Sequence, residues 1–133
     1  MILFDTSVWI NHFNRNDNQE SSHLARLLKF APASICITTT ILQEVLQGAK
    51  NDSYFDIYRG ILSNRNILKM DAVEAAISAA QLYRSLRKKG VTIRRPDDCL
   101  IAAYAIHFGV ELCHNDSDFD LIAAHSDLKI WTP

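Results

Sequence analysis

The sequence predicts an α/β protein of three layers, with a central parallel sheet of about five strands and helices on both of its faces. Three observations carry this. Short, almost continuously apolar runs such as Ile2-Leu3-Phe4 and Ser34 to Thr38 alternate with longer stretches of helical spacing. Strands that are apolar on both sides belong to sheets covered on both faces. The 133 residues suffice for one domain with a real core, and no linker, repeat or low-complexity segment divides them, so residues 1–133 are expected to form one domain.

The elements follow in order. Ile2 to Asp5 is too brief and apolar for a helix and reads as the first strand, followed by a helix from Thr6-Ser7 to Phe13. Asn14 to Asn18 break it. Leu24, Leu27 and Leu28 give a second helix from about Ser21 to Phe30, which Pro32 ends. Ser34 to Thr38 is the second strand, and Thr39 or Thr40 can cap a helix that Gly48 terminates. A helix over Ser53 to Leu62 precedes a third strand from Asn66 to Met70. Asp71 with Glu74 forms a capping-box signature opening a long helix to about Lys89, closed by Gly90. Pro96 suits the first turn of the next helix, which Gly109 stops after Phe108. Val110 to His114 is the fourth strand, Asp118 to His125 a short helix, and Leu128 to Thr132 the last strand. Trp9, Phe13 and Tyr54 are expected in the core.

Composition narrows the class. Hydrophobic residues at 48% and charged residues at 22% exclude a disordered chain. The longest apolar run, Cys99 to Ile106, is too short to span a bilayer, and Asp5 cuts off the N-terminal apolar stretch, which has no basic leader. The expected location is the cytoplasm. Cys36, Cys99 and Cys113 lie inside apolar segments and read as buried, reduced thiols. A net charge of −1 argues against binding nucleic acid by bulk charge. Local charge differs, because Arg84, Arg87, Lys88, Lys89, Arg94 and Arg95 form a basic run with no acid between them.

The acids are placed at structural punctuation. Asp5 ends the first strand, Glu44 flanks the stripe Ile41, Leu42, Val45 and Leu46, Asp97 and Asp98 follow Pro96, and Asp116 follows the fourth strand. In a parallel sheet, strand ends and helix starts meet at one edge. Two carboxylates about 4 Å apart repel by roughly 4 kcal/mol at an effective dielectric near 20, so a converging group needs protons or a cation. An all-oxygen site suits Mg²⁺ or Mn²⁺. Periodicity does not choose between Asp97 and Asp98. Each acid alone also has a plain structural reading, as a helix cap or a first-turn charge.

Taken together, Asp5-Thr6-Ser7-Val8-Trp9-Ile10, Glu44, Pro96-Asp97-Asp98-Cys99-Leu100-Ile101-Ala102-Ala103 and Asn115-Asp116-Ser117-Asp118-Phe119 resemble the PIN-domain ribonucleases, most closely the VapC toxins of bacterial toxin–antitoxin pairs. The resemblance spans almost the whole chain. It implies a PIN-like fold in which Asp5, Glu44, Asp98 and Asp116 are the catalytic acids that hold Mg²⁺ or Mn²⁺, with Asp98 chosen over Asp97. Ser7 and Asp118 are implied as auxiliary groups. It implies cleavage of RNA to a 3′-hydroxyl and a 5′-phosphate, a homodimer, and a VapB-like antitoxin that covers the acidic groove. The basic run would then contact RNA phosphates. His114 departs from the pattern, where many relatives carry threonine, and the resemblance gives it no role. A housekeeping RNA-processing nuclease or a non-catalytic binding module of the same fold are the alternatives. A phosphoacceptor receiver domain would want paired acids after the first strand, a phosphoacceptor Asp after the third and a Lys after the last, whereas Asp5 stands alone, Asp71 falls in a capping box and Lys129 lies within the last strand. Nucleotide-binding glycine loops are absent, since Gly48, Gly60, Gly90 and Gly109 are isolated.

Overall fold

A computed structural model describes all of residues 1–133. The chain alternates strands and helices: β1 (Ile2–Phe4), α1 (Thr6–Phe13), α2 (Gln19–Phe30), β2 (Ile35–Ile37), α3 (Thr39–Gln47), α4 (Asp52–Ser63), β3 (Asn66–Ile67), α5 (Ala72–Lys88), α6 (Pro96–Phe108), β4 (Glu111–Cys113) and α7 (Asp118–Ala124). The four strands lie in the order β3-β2-β1-β4, every pair parallel. Ile2 pairs with Ile35 on one side and with Glu111 on the other.

Consecutive strand residues point to opposite faces. Leu3 and Phe4 are both fully buried, as are Ile35, Cys36 and Ile37 and then Leu112 and Cys113, so helices must cover both faces of the sheet. α1 packs on α2 and α3, and α5 packs along α6, which also meets α7. α6 is buried around most of its circumference, through Asp98, Cys99, Ile101, Ala102, Ala103, Tyr104 and Ala105. Such all-round apolarity marks a central helix. The three cysteines are buried and free, and burial pushes their thiols up to about 11 for Cys36 and Cys99 and about 12 for Cys113. No helix is long and apolar enough to cross a membrane.

Several boundaries differ from the sequence expectation, each for a local reason. α2 begins at Gln19 because Asn18 caps it, accepting from the Ser21 N–H at 2.8 Å while Ser21 Oγ accepts from the Asn18 N–H. Thr38, rather than Thr39 or Thr40, caps α3 by accepting from the Ile41 N–H at 3.2 Å. Its extended backbone carries the strand straight into the cap. With Thr38 drawn into that cap, β2 ends at Ile37 and β3 shortens to Asn66–Ile67, the Leu68 N–H making the last bond to the Ile37 carbonyl. The expected last strand, Leu128 to Thr132, is a single bridge between Leu112 and Ile130. β4 leaves the ladder after Cys113 to enter the site loop, so little edge remains to pair with. Tyr54 is exposed on α4, whereas Trp9 is fully buried and Phe13 partly so.

The chain moves from β1 outward to β2 and β3, then returns across the sheet to place β4 on the other side of β1. Such a reversal opens a crevice at the carboxyl ends of the two strands that flank it, here β1 and β4. The residues following them are Asp5 and the segment His114 to Ser117.

Two glycines differ in what their backbone requires. Gly109 closes α6 in a left-handed conformation, φ 64°, which a side chain occupies at a cost of about 1–2 kcal/mol. Gly60 lies inside α4, and an added Cβ there meets nothing within 4 Å. Gly109→Ala should therefore destabilise by that amount, whereas Gly60→Ala should stabilise by about 0.5–1 kcal/mol. Urea unfolding of the two variants checks both signs.

Candidate active site

At the crevice each acid is placed by an ordinary structural device. Asp5 caps α1, with Oδ2 accepting from the Ser7 N–H at 3.1 Å and from Ser7 Oγ at 2.6 Å. That bonding takes Oδ2, and no bond takes Oδ1. Asp98 sits in the first turn of α6, where the helix dipole favours negative charge, and it is only 3% exposed. Asp97, one residue earlier, is exposed, so burial selects Asp98. Asp116 lies in the loop after β4, its Oδ1 accepting from the Asp118 N–H at 3.0 Å. Asp118 opens α7 and is itself buried.

One carboxylate oxygen each of Asp98, Asp116 and Asp118 lies within 4.8 Å of the other two. Asp118, expected as an auxiliary, thus stands inside the tightest acidic group. Asp5 acts on it through charge, being the largest charged influence raising the Asp98 carboxyl. Glu44 lies to one side, accepting from Thr6 Oγ1 at 2.8 Å through Oε1 and pairing with Arg95 through Oε2. The structure brings Asp5, Asp98, Asp116 and Asp118 into mutual influence and ties Glu44 to the rim next to Asp5.

The basic run divides. Arg94 reaches into the acidic group, with Nε 3.2 Å from Asp118 Oδ2 and Nη2 3.6 Å from Asp116 Oδ1. Arg95 holds Glu44. Arg84, Arg87, Lys88 and Lys89 instead lie exposed at the end of α5, where they line open surface depressions. Sequence periodicity gave no sign of this division, because it depends on where the coil between α5 and α6 turns back. The loop after β4 is also pinned in a way that spacing did not disclose. Asn115 donates its N–H to Ser7 Oγ at 3.0 Å, and its Oδ1 accepts from Asn11 at 2.8 Å and from Asn18 at 3.2 Å. The adjacency of Asn115 to Asp116 is the one sequence signal for it.

Electrostatics follows from burial. Two guanidiniums face five carboxylates, so the pocket carries an excess of three negative charges if all are ionised. Asp98 Oδ2 is fully buried and has no hydrogen-bond donor. Burial first, and then the charges of Asp5, Asp116 and Asp118, push its carboxyl up to about 7, with Arg95 pulling the other way. Burial also raises Asp5, against the bonds from Ser7. A buried carboxylate oxygen without a donor takes either a proton or a cation. The donor set here is oxygen throughout, which suits a hard divalent ion such as Mg²⁺ or Mn²⁺.

Residues 2–125 match the family model for the PIN domain. A VapC ribonuclease of Mycobacterium bovis is 36% identical over 129 residues, covering 97% of this chain and 96% of its own. Among solved structures, a toxin–antitoxin complex from Klebsiella pneumoniae matches at 26% identity with a TM-score of 0.63 over 90% of each chain. VapBC2 of Rickettsia felis, solved bound to a DNA fragment from its promoter, shares the fold with a TM-score of 0.71 over 98% of each chain at 23% identity.

The raised Asp98 carboxyl sets a pH dependence. Its pKa is near 7 in the folded protein against an ordinary 3.8, so the native state holds the proton more tightly than the unfolded chain does. Asp98 therefore withdraws stability as pH rises from about 4 to about 7. In a chelator, Asp98→Asn should melt several degrees above the parent at pH 7, and this advantage should shrink towards pH 4. Added Mn²⁺ should raise the melting point of the parent more than that of the variant. Thermal melts across pH, with and without Mn²⁺, read both effects.

Proposed function

The chain belongs to the PIN-domain family, and from that premise we propose that it is a divalent-metal-dependent endoribonuclease, the toxin of a VapBC-type pair. The observation that carries the metal dependence is the buried, donor-less Oδ2 of Asp98 beside Asp116 and Asp118. The ribonuclease reading rests on the relative from Mycobacterium bovis, which matches nearly end to end. The toxin reading and a VapB-like antitoxin partner are supported by the toxin–antitoxin complexes among the structural neighbours.

In this reading Asp98, Asp116 and Asp118 hold Mg²⁺ or Mn²⁺, with Asp5 acting on Asp98 through charge and Glu44 held beside them by Thr6 and Arg95. When bound, such an ion supplies charge neutralisation to a phosphodiester under attack and makes a nearby water more acidic. The protein's own groups do the rest. Ser7 donates to Asp5 and so fixes which oxygen of that carboxylate faces the crevice. Thr6 does the same for Glu44, leaving its second oxygen to Arg95. Arg94, three-quarters exposed, is the guanidinium that an entering phosphate meets first. Arg84, Arg87, Lys88 and Lys89 stand further out and contact the RNA backbone, which positions a strand without reading its bases.

Incubating the purified chain with RNA and Mn²⁺ should yield 5′-phosphorylated fragments, and a chelator should stop the reaction. Asp98→Asn should lower the rate by more than about 100-fold, since even outer partners of a metal ligand cost 10- to 100-fold. Circular dichroism checks that the variant is folded; a folded Asp98→Asn chain that cleaves RNA as before would refute the assignment. Replacing both Arg87 and Lys88 by Ala should weaken RNA binding and flatten the plot of log affinity against log salt by about 0.7 for each RNA phosphate no longer neutralised. Filter binding at several salt concentrations measures that slope.

A further inference from the structure

His114 follows β4 directly, and its side chain is only 8% exposed although the loop it opens lies at the surface. Its Nδ1 is 3.0 Å from the backbone nitrogen of Asp116, and its Nε2 is 3.0 Å from Asp120 Oδ1. The ring also packs on Phe119, with centroids 5.4 Å apart. A backbone N–H can only donate, so Nδ1 is the bare acceptor. The proton of the neutral ring then sits on Nε2, where the Asp120 carboxylate accepts it. Both contacts select the same tautomer, and Asp120 is the group that enforces it.

A bond from a side chain to the N–H two residues on closes a turn, as asparagine, aspartate, serine and threonine commonly do. Here the imidazole takes that part. Ser7 accepts the N–H of Asn115, and His114 accepts the next one, of Asp116. Two successive amides of the loop are thereby each fixed by a side-chain acceptor. Asp116 in turn receives the Asp118 N–H on Oδ1, so the placement of its backbone decides where two of the three clustered carboxylates lie.

We propose that His114 is a positioning residue whose Nδ1 holds the Asp116 backbone, and through it the Asp116 carboxylate, in the orientation that receives the cation, with Asp120 setting the tautomer. This rests on reading the acidic pocket as a metal centre. A ring that merely fills space against Phe119 would not depend on where its acceptor stands, and that difference is measurable.

The test is Mn²⁺ binding by isothermal titration calorimetry on the full chain and on three variants, at a temperature where circular dichroism finds each folded. His114→Ala should lose about 10- to 100-fold in Mn²⁺ affinity, the usual range for a group that orients a ligand. His114→Asn, whose amide oxygen stands where Nδ1 does, should recover the greater part of that loss. His114→Gln, whose amide reaches towards Asp120 instead, should not. In RNA cleavage the same ranking should appear in kcat and leave KM in place. Equal Mn²⁺ affinity in the parent and all variants, or Gln matching or exceeding Asn, would overturn the role of the acceptor. If the Ala variant does not fold, the Asn and Gln pair decides alone. A parent chain that binds no Mn²⁺ would instead overturn the metal-centre reading beneath the proposal.

Discussion

Carboxylates gathered at the end of a parallel sheet repel one another, and this repulsion governs how the pocket is built. At Asp98 burial adds to it and outweighs it, since this carboxylate is taken out of water at the start of a helix that is apolar on nearly every side. The dipole of α6 offsets part of the cost, and Arg95 another part. What remains unbalanced is one buried oxygen with no donor. A residue in that position is costly to stability unless something else occupies the pocket with it, which is why the same feature serves as the strongest pointer to a bound cation.

The neighbours of the acids divide the work of holding them. Capping does much of it, for the Asp5 side chain that ends β1 also starts α1, so one residue stops a strand, opens a helix and presents a free oxygen to the crevice. Hydroxyls from Thr6 and Ser7 then reach Glu44 and Asp5, so the first turn of α1 serves both acids. The loop after β4 is held by Ser7, Asn11, Asn18 and His114 together. Sites of this kind depend on the groups that orient the ligands as much as on the ligands themselves.

Charge outside the pocket is organised by distance from it. Arg94 and Arg95 neutralise acids at close range, and the cations at the end of α5 lie exposed beyond them. In the proposed reading these cations would offer a phosphodiester positive charge ahead of the carboxylates. Such a screen would offset the acidic excess, which by itself repels an anionic substrate.

Much of this was legible in the linear sequence, because it depends on local signals. Apolar strands between helical periods specify a covered parallel sheet, and Pro96 and Gly109 mark both ends of α6. The motif around Asp5 and the run Pro96 to Ala103 sufficed to resemble a family. Other features required the chain to be folded. Residues 128–132 have the composition of a strand, yet β4 leaves its ladder too soon to pair with more than one of them. Tyr54 has the character of a core residue, but α4 turns it outward. The division of the basic run, the closeness of Asp118 to Asp98, and the two bonds of His114 depend on how several elements meet around the crevice. Periodicity and capping act over a few residues and are written locally, whereas the direction in which a side chain points at a sheet end is set by the packing of several elements at once, and only the tertiary structure decides it.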